Sequence, residues 1–160
     1  MSTLYVDNLQ PNLGSQVEIP DFKPHAGMVI QQVSFHSDST WTTTSGNFSS
    51  TYASVTITPK FANSKMSIWV SGSVHYSGYA NHGRGQIRKN GATFSNHDNE
   101  DLLAYWAGTT SRGDMVGQNY VDQNVGTTSP VTYAYYVASS SGATTYFYRN
   151  HGIIVQEIAQ

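Results

Sequence analysis

The chain has 160 residues, a formal net charge of -2 at pH 7 and no cysteine. This length suits one domain, and the charge leaves no basic stripe to neutralise nucleic-acid phosphates. The absence of cysteine excludes disulfides, thiolate metal sites and a cysteine nucleophile.

The composition predicts the class of fold, and the distribution of apolar residues predicts the place of synthesis. Only 11% of the residues are charged and 12% are aromatic, a profile that favours strands and turns when Ser, Thr, Gly and Asn are abundant. No apolar run reaches the roughly 18 residues that a membrane-spanning helix needs. Residues 1–10 lack the basic start and apolar core of a signal peptide. We therefore expect synthesis in the cytosol, no membrane insertion and no nucleic-acid partner.

Residues 1–26 differ from the remainder of the chain. Prolines at positions 11, 20 and 24 prevent a long helix, and scattered apolar residues argue against free disorder. We predict an extended arm that docks on a partner; an arm packed on its own domain is the alternative. The predicted anchoring residues are Leu4, Val6, Leu9, Leu13, Val17 and Ile19.

An alternation of apolar and polar residues begins after Gly27 and predicts a β-domain over residues 27–160. A second alternating run ends at Pro59, which cannot continue a ladder. The strongest run extends from about Lys65 to Tyr76 and predicts a central strand. The apolar residues of these three runs are Val29, Val33 and Phe35, then Ala53, Val55 and Ile57, then Met66, Ile68, Val70 and Val74.

Further along, Asn90-Gly91 predicts a hairpin between residues 85–89 and 92–95, because both central residues of a type I′ turn need positive φ. Residues 100–107 fit either a helical turn or a strand, and their context favours a strand. Alternation at Val131, Tyr133, Tyr135 and Val137 predicts another strand, with two more over residues 144–149 and 153–158. Roughly seven to nine strands without an amphipathic helix predict an all-β antiparallel sandwich or jelly roll.

Several segments resemble phage tail-fibre proteins, especially those of cyanobacterial and marine phages. The similar segments are MSTLYVDNLQ, GSQVEIP and GMVIQQVSF near the start, then VTITPKFANSKMSIWVSG, GRGQIRKNG, TTYFYRNHG and IIVQEIA. Their order and spacing carry the resemblance, since each is a strand pattern of common residues.

This resemblance implies a jelly roll similar to those of C1q and tumour necrosis factor. It also implies a homotrimer whose N-terminal arm is fixed to other virion proteins, while the sandwich faces outward for host attachment. The exposed aromatic residues expected at Trp69 and Tyr136 favour assembly independently, because oligomerisation would bury them. No shaft separates the arm from the domain, so a short tail fibre, a head fibre, a capsid decoration protein and a subunit that caps another fibre all remain open.

The sequence predicts no catalytic residue, no cofactor and no metal site, and we expect a protein that is not an enzyme. Its six histidines show no tight pair with ligand spacing. Binding of a host-surface glycan or receptor through loops is more plausible than catalysis. A free carbohydrate-binding, lectin-like module is the alternative to a virion protein. The candidate receptor-facing residues are Tyr79, His82, Asn96, His97, Asn119 and Tyr120, in loops expected near residues 76–82, 95–99 and 118–123.

Overall fold

The computed structural model describes residues 24–77, 81–93, 101–106, 112–139 and 143–160, which form eleven β-strands and no helix. One antiparallel sheet contains β1 (Val29–Ser37), β2 (Trp41–Thr43), β4 (Lys65–Ser77), β8 (Arg112–Asp122), β10 (Thr144–Phe147) and β11 (His151–Ile158). The other contains β3 (Ser49–Ile57), β5 (Asn81–Lys89), β6 (Ala92–Thr93), β7 (Asp101–Trp106) and β9 (Val131–Ser139). The predicted all-β antiparallel sandwich is confirmed.

Strand β4 organises the six-stranded sheet. Its 13 residues pair with β8 along one side, while β11 and then β10 share its other side. Strands β1 and β2 lie outside β11 and β10 respectively. Strand β8 pairs only with β4 among the described strands, so its far side is an open edge there.

The five-stranded sheet has the order β3-β9-β5-β6, and β7 also pairs with β5. The hairpin between β5 and β6 turns at Asn90 and Gly91, whose φ angles are 51° and 82°. These positive values are the ones that a type I′ turn requires. The hairpin predicted from Asn90-Gly91 is therefore confirmed.

The core lies between the two sheets and is built from the residues that alternate along each strand. The largest fully buried side chains include Tyr133, Tyr135, Phe147, Ile57, Met66, Ile68, Ile87 and Ile153. Burying each such side chain contributes about 1.5–3 kcal/mol, which explains why the period of two was visible in the sequence.

Gly72 lets two aromatic rings approach the backbone of β4. A Cβ atom at this position would lie 2.5 Å from the Phe147 ring and 2.8 Å from Cβ of His151. The Phe147 and His151 rings stack at 4.4 Å between centroids. This close packing therefore depends on the missing side chain at Gly72.

A buried carboxylate, Glu157, fixes the connection between β3 and β4. It is fully buried and accepts hydrogen bonds from the backbone N–H groups of Lys60 and Phe61, from the Ser64 hydroxyl and from the Gln31 amide. Burial acts to raise the pKa of Glu157, but these hydrogen bonds, with that from Lys60 first, outweigh it and hold the pKa below its usual value.

A second polar network joins the two sheets. Asp122 of β8 accepts hydrogen bonds from the Lys89 ammonium and from the Tyr133 hydroxyl, each at 2.7 Å. Lys89 also donates to the carbonyl oxygen of Val125 at 2.7 Å. Burial, together with the bond to Asp122 and its charge, raises the pKa of the Tyr133 hydroxyl. The network thus secures β8 to β5 and β9 with a hydroxyl that stays protonated.

Candidate functional site

Most of the predicted functional residues lie outside the described residues. This holds for the six anchoring residues of the arm and for Tyr79, Asn96 and His97. Of the predicted arm only residues 24–26 are described. The N–H of the adjacent Gly27 donates to the carbonyl oxygen of Ala159 at 2.9 Å, so the chain enters the domain beside the end of β11.

The other three predicted receptor-facing residues lie in strands, which corrects their placement in loops. His82 belongs to β5, and Asn119 and Tyr120 belong to β8. Tyr120 is only 3% exposed and donates a hydrogen bond to Gln118 at 3.0 Å. It is therefore a core residue, whereas Asn119 points outward and is exposed.

The outward side of the six-stranded sheet carries an exposed apolar surface, which we call the apolar face. Its four large members are Trp69 (51% exposed), Met115 (80%), Val121 (40%) and Ile154 (40%). Trp69 is opposite Ile154 on one neighbouring strand and opposite Asn119 on the other. The exposed Trp69 expected from the sequence is confirmed and has apolar neighbours.

The apolar face is uncharged in its central part, and Lys65 lies on the same side at the start of β4. In the central part of its four strands the outward residues are Ser67, Trp69, Ser71 and Ser73, then Met115, Gly117, Asn119 and Val121, then Gly152, Ile154 and Gln156, then Gln32, Ser34 and His36. None of these is Asp, Glu, Lys or Arg. Exposed surfaces of monomeric proteins are normally rich in such residues, and their depletion is typical of the centre of an interface.

An aromatic cluster extends this side of the sheet toward β10. The Tyr146 and Tyr148 rings stack at 5.8 Å between centroids, and His75 meets each of them edge-on at 5.6 Å. Tyr148 is 37% exposed. The cluster therefore continues the apolar face with rings that have both apolar and polar parts.

The outward side of the five-stranded sheet carries a different surface, which we call the arginine ladder. Arg84 lies 5.3 Å from the centroid of the Phe48 ring, and Arg88 lies 5.7 Å from the same ring and 4.4 Å from that of Tyr136. One Arg84 N–H also donates to the carbonyl oxygen of Gly46 at 2.7 Å. Two cations and two rings thus alternate across this sheet.

Other kinds of site are not seen in the described ranges. No group of three or more His, Asp or Glu residues there is placed to hold a metal ion. No helix in those ranges is long and apolar enough to span a bilayer. The described surface therefore offers two candidate sites, the apolar face and the arginine ladder, on opposite sheets of an antiparallel β-sandwich.

No protein-family model matches the sequence, and no curated protein matches it either. Among solved structures, the chain is similar to a mutant VP2 protein of infectious bursal disease virus in T=1 particles, with 13% identity and a TM-score of 0.43. That match covers 92% of this chain and 41% of the VP2 chain. A structure of the Gx strain of the same virus matches with 13% identity and a TM-score of 0.37, covering 88% and 40%. The chain thus spans about two fifths of these proteins, and likenesses at such TM-scores support no functional inference.

Proposed function

We propose that this protein is a structural subunit of a bacteriophage virion that assembles through the apolar face. The observation that carries the proposal is an outward sheet surface whose central part has no charged residue, with Trp69 at its centre, 51% exposed. The resemblance of the sequence to phage tail-fibre proteins supports the virion setting. In this role the arm of residues 1–26 attaches the subunit to other virion proteins and the sandwich is displayed for host attachment.

The size of the apolar face supports a second copy of the same chain as its occupant. The whole outward side of this sheet, from Lys65 to the aromatic cluster at His75, has an area of about 800 Å² at standard strand rise and spacing, since β4 is 13 residues long and four strands lie side by side. A standard protein interface buries about 800 Å² on each partner. Closed rings of identical subunits are the usual way to cover such a patch, and a ring of three fits the resemblance.

Thiol reactivity tests this occupant, because the chain has no native cysteine. We compare Asn119→Cys, which points outward on β8 beside Trp69, with Thr56→Cys, an exposed position on the other sheet. At concentrations where the protein assembles, we expect maleimide to label Asn119→Cys at least about tenfold more slowly, because covered surface reacts only when the assembly opens. Equal labelling rates for the two variants at every concentration would contradict the proposed interface.

The virion role is tested separately, in phage particles. Deletion of residues 1–26 should abolish incorporation while the remaining domain keeps its β-sheet circular dichroism spectrum. Normal incorporation of the deleted form would refute the attachment role of the arm. Gold labelling of intact particles then distinguishes a short tail fibre from a head fibre or capsid decoration protein.

A free, lectin-like module is the second candidate function, favoured by the aromatic rings and cations of the arginine ladder. Such a module would bind glycan as a monomer and would not be recovered with particles. Co-purification with phage particles, measured beside glycan binding, separates the two functions.

A further inference from the structure

Arg88 is a partly buried cation that has no polar partner among the residues the structure describes. Its guanidinium group is held between the rings of Tyr136 and Phe48, at 4.4 and 5.7 Å from their centroids. Within the described part of the chain it makes no hydrogen bond or ion pair, and its Nε is buried there without an acceptor. A buried N–H in this condition costs free energy unless water or a group from outside the chain accepts its hydrogen bond.

Asp38, Asp122 and Glu157, the carboxylates whose side chains the structure describes, do not meet this need. Asp122 and Glu157 are both buried in the networks that bind Lys89 and the β3–β4 connection. Asp38 lies 3.7 Å from the His36 ring, on the edge of the other sheet. None of these carboxylates contacts Arg88.

The residues beside Arg88 form a shelf suited to a small polar ligand. Ala134 is directly opposite Arg88, and Ser54 is directly opposite Ala134 on the next strand. A small side chain thus separates a guanidinium group from a hydroxyl. Tyr136, in the adjacent row, adds a second hydroxyl and an aromatic ring.

We propose that this shelf, the Arg88 site, binds an acidic sugar residue of a surface glycan. The five N–H donors of a guanidinium group match the two oxygens of a carboxylate or sulfate. The hydroxyl of Ser54 and the ring and hydroxyl of Tyr136 suit the hydroxyl groups and apolar faces of a pyranose. With a chain net charge of -2, this is a local anion site and not part of a broad basic surface.

The inference deepens the host-attachment part of the proposed function and rests on it only for its biological setting. Binding at the Arg88 site does not require the apolar face, which lies on the opposite sheet. The solution mass of each variant is therefore measured together with its ligand binding. A loss of binding at unchanged mass is a failure of the Arg88 site alone, and a changed mass is a failure of assembly.

The test measures binding of trigalacturonic acid and of galactose 6-sulfate to the full chain by calorimetry, with neutral galactose as the uncharged comparison. The variants are Arg88→Met, which keeps length and loses charge, and Arg88→Lys, which keeps charge and loses the bidentate geometry. Arg149→Met is the matched control, since Arg149 is exposed in the turn before β11. Thermal unfolding of each variant accompanies the binding measurement.

We expect at least one acidic ligand to bind the wild type, and the one that binds identifies carboxylate or sulfate as the recognised group. Arg88→Met should weaken that binding by about 10- to 100-fold without lowering the unfolding temperature, because an apolar side chain leaves no buried donor unsatisfied. Arg88→Lys should weaken binding to a smaller degree, and Arg149→Met should leave it unchanged. The proposal is overturned if neither acidic ligand binds, if galactose binds equally well, or if Arg88→Met binds like the wild type.

Discussion

Replacing Glu157 with Gln tests the account of the core most severely. The substitution keeps the shape of the side chain but removes its charge. Four groups, one on β1 and three in the β3–β4 connection, donate hydrogen bonds to this carboxylate at 2.5 to 3.1 Å. Hydrogen bonds to a charged group contribute about 1.5–3 kcal/mol each, and the new amide would also point an N–H group at other donors. Since the residue is fully buried, we expect a loss of about 3–5 kcal/mol in the free energy of unfolding.

That loss corresponds to a fall of about 10 °C in the unfolding temperature for a domain of this size. Urea unfolding followed by tryptophan fluorescence, at one fixed protein concentration, measures it. Asp38→Asn is the matched control, because this carboxylate has a side-chain exposure of 77% and should contribute less than about 0.5 kcal/mol. A loss below about 1 kcal/mol for Glu157→Gln would refute the reasoning.

The same residue predicts a dependence on pH. The folded-state pKa of Glu157 lies below the ordinary value of 4.5, so its stabilisation is complete above that pH and is lost as the pH falls through the folded pKa. The difference in stability between wild type and Glu157→Gln should therefore narrow in acid. A constant difference from neutral pH to pH 3 would show that the charge is not the stabilising feature.

Three further substitutions test other parts of the fold. Gly72→Ala should destabilise by at least about 1–3 kcal/mol through overpacking, whereas Gly117→Ala, with nothing within 4 Å of the added Cβ, should not; equal effects in urea unfolding would contradict the packing at Gly72. Tyr133→Phe removes one hydrogen bond to Asp122 and should cost about 1.5–3 kcal/mol, and a neutral result would mean that this bond does not stabilise the sandwich. Gly91→Ala forces a side chain onto a φ of 82° and should cost about 1–2 kcal/mol, so an unchanged unfolding curve would argue against the type I′ turn.

Much of the fold could be predicted from the sequence because the core residues of several strands are apolar and alternate with polar ones. In β3 the buried Ala53, Val55 and Ile57 form that pattern without interruption. Strands β4, β9 and β11 follow it too, and the strand interpretation of residues 100–107 agrees with β7. In such strands the residues of the core-facing side are both apolar and buried, so the alternation in the sequence matches the alternation in burial.

The sequence pattern does not predict strand β8, because two of its inward residues are polar. Gln118 accepts a hydrogen bond from the Tyr135 hydroxyl and Asp122 accepts one from Tyr133. Their partners lie on β9, on the other sheet, so only the tertiary structure makes these polar side chains compatible with the interior. The sequence pattern accordingly indicates a loop over residues 118–123, where the structure has the end of β8.

The candidate sites were only partly visible in the sequence. Trp69 stands on the polar face of an alternating strand, so its exposure could be predicted. The Arg88 site could not, since it depends on the pairing of β5 with β9 and on Phe48, which precedes β3. Contacts between residues 40 apart in the chain leave no periodic signal.

The solution mass of the full chain tests the central claim most directly. Light scattering on a sizing column over a range of concentrations should give three times 17.5 kDa for the wild type. Trp69→Lys should reduce this mass to that of a monomer, while Tyr52→Lys, at an equally exposed aromatic residue on the other sheet, should leave it unchanged. A wild-type monomer at every concentration, or a mass unaffected by Trp69→Lys, would contradict assembly through the apolar face.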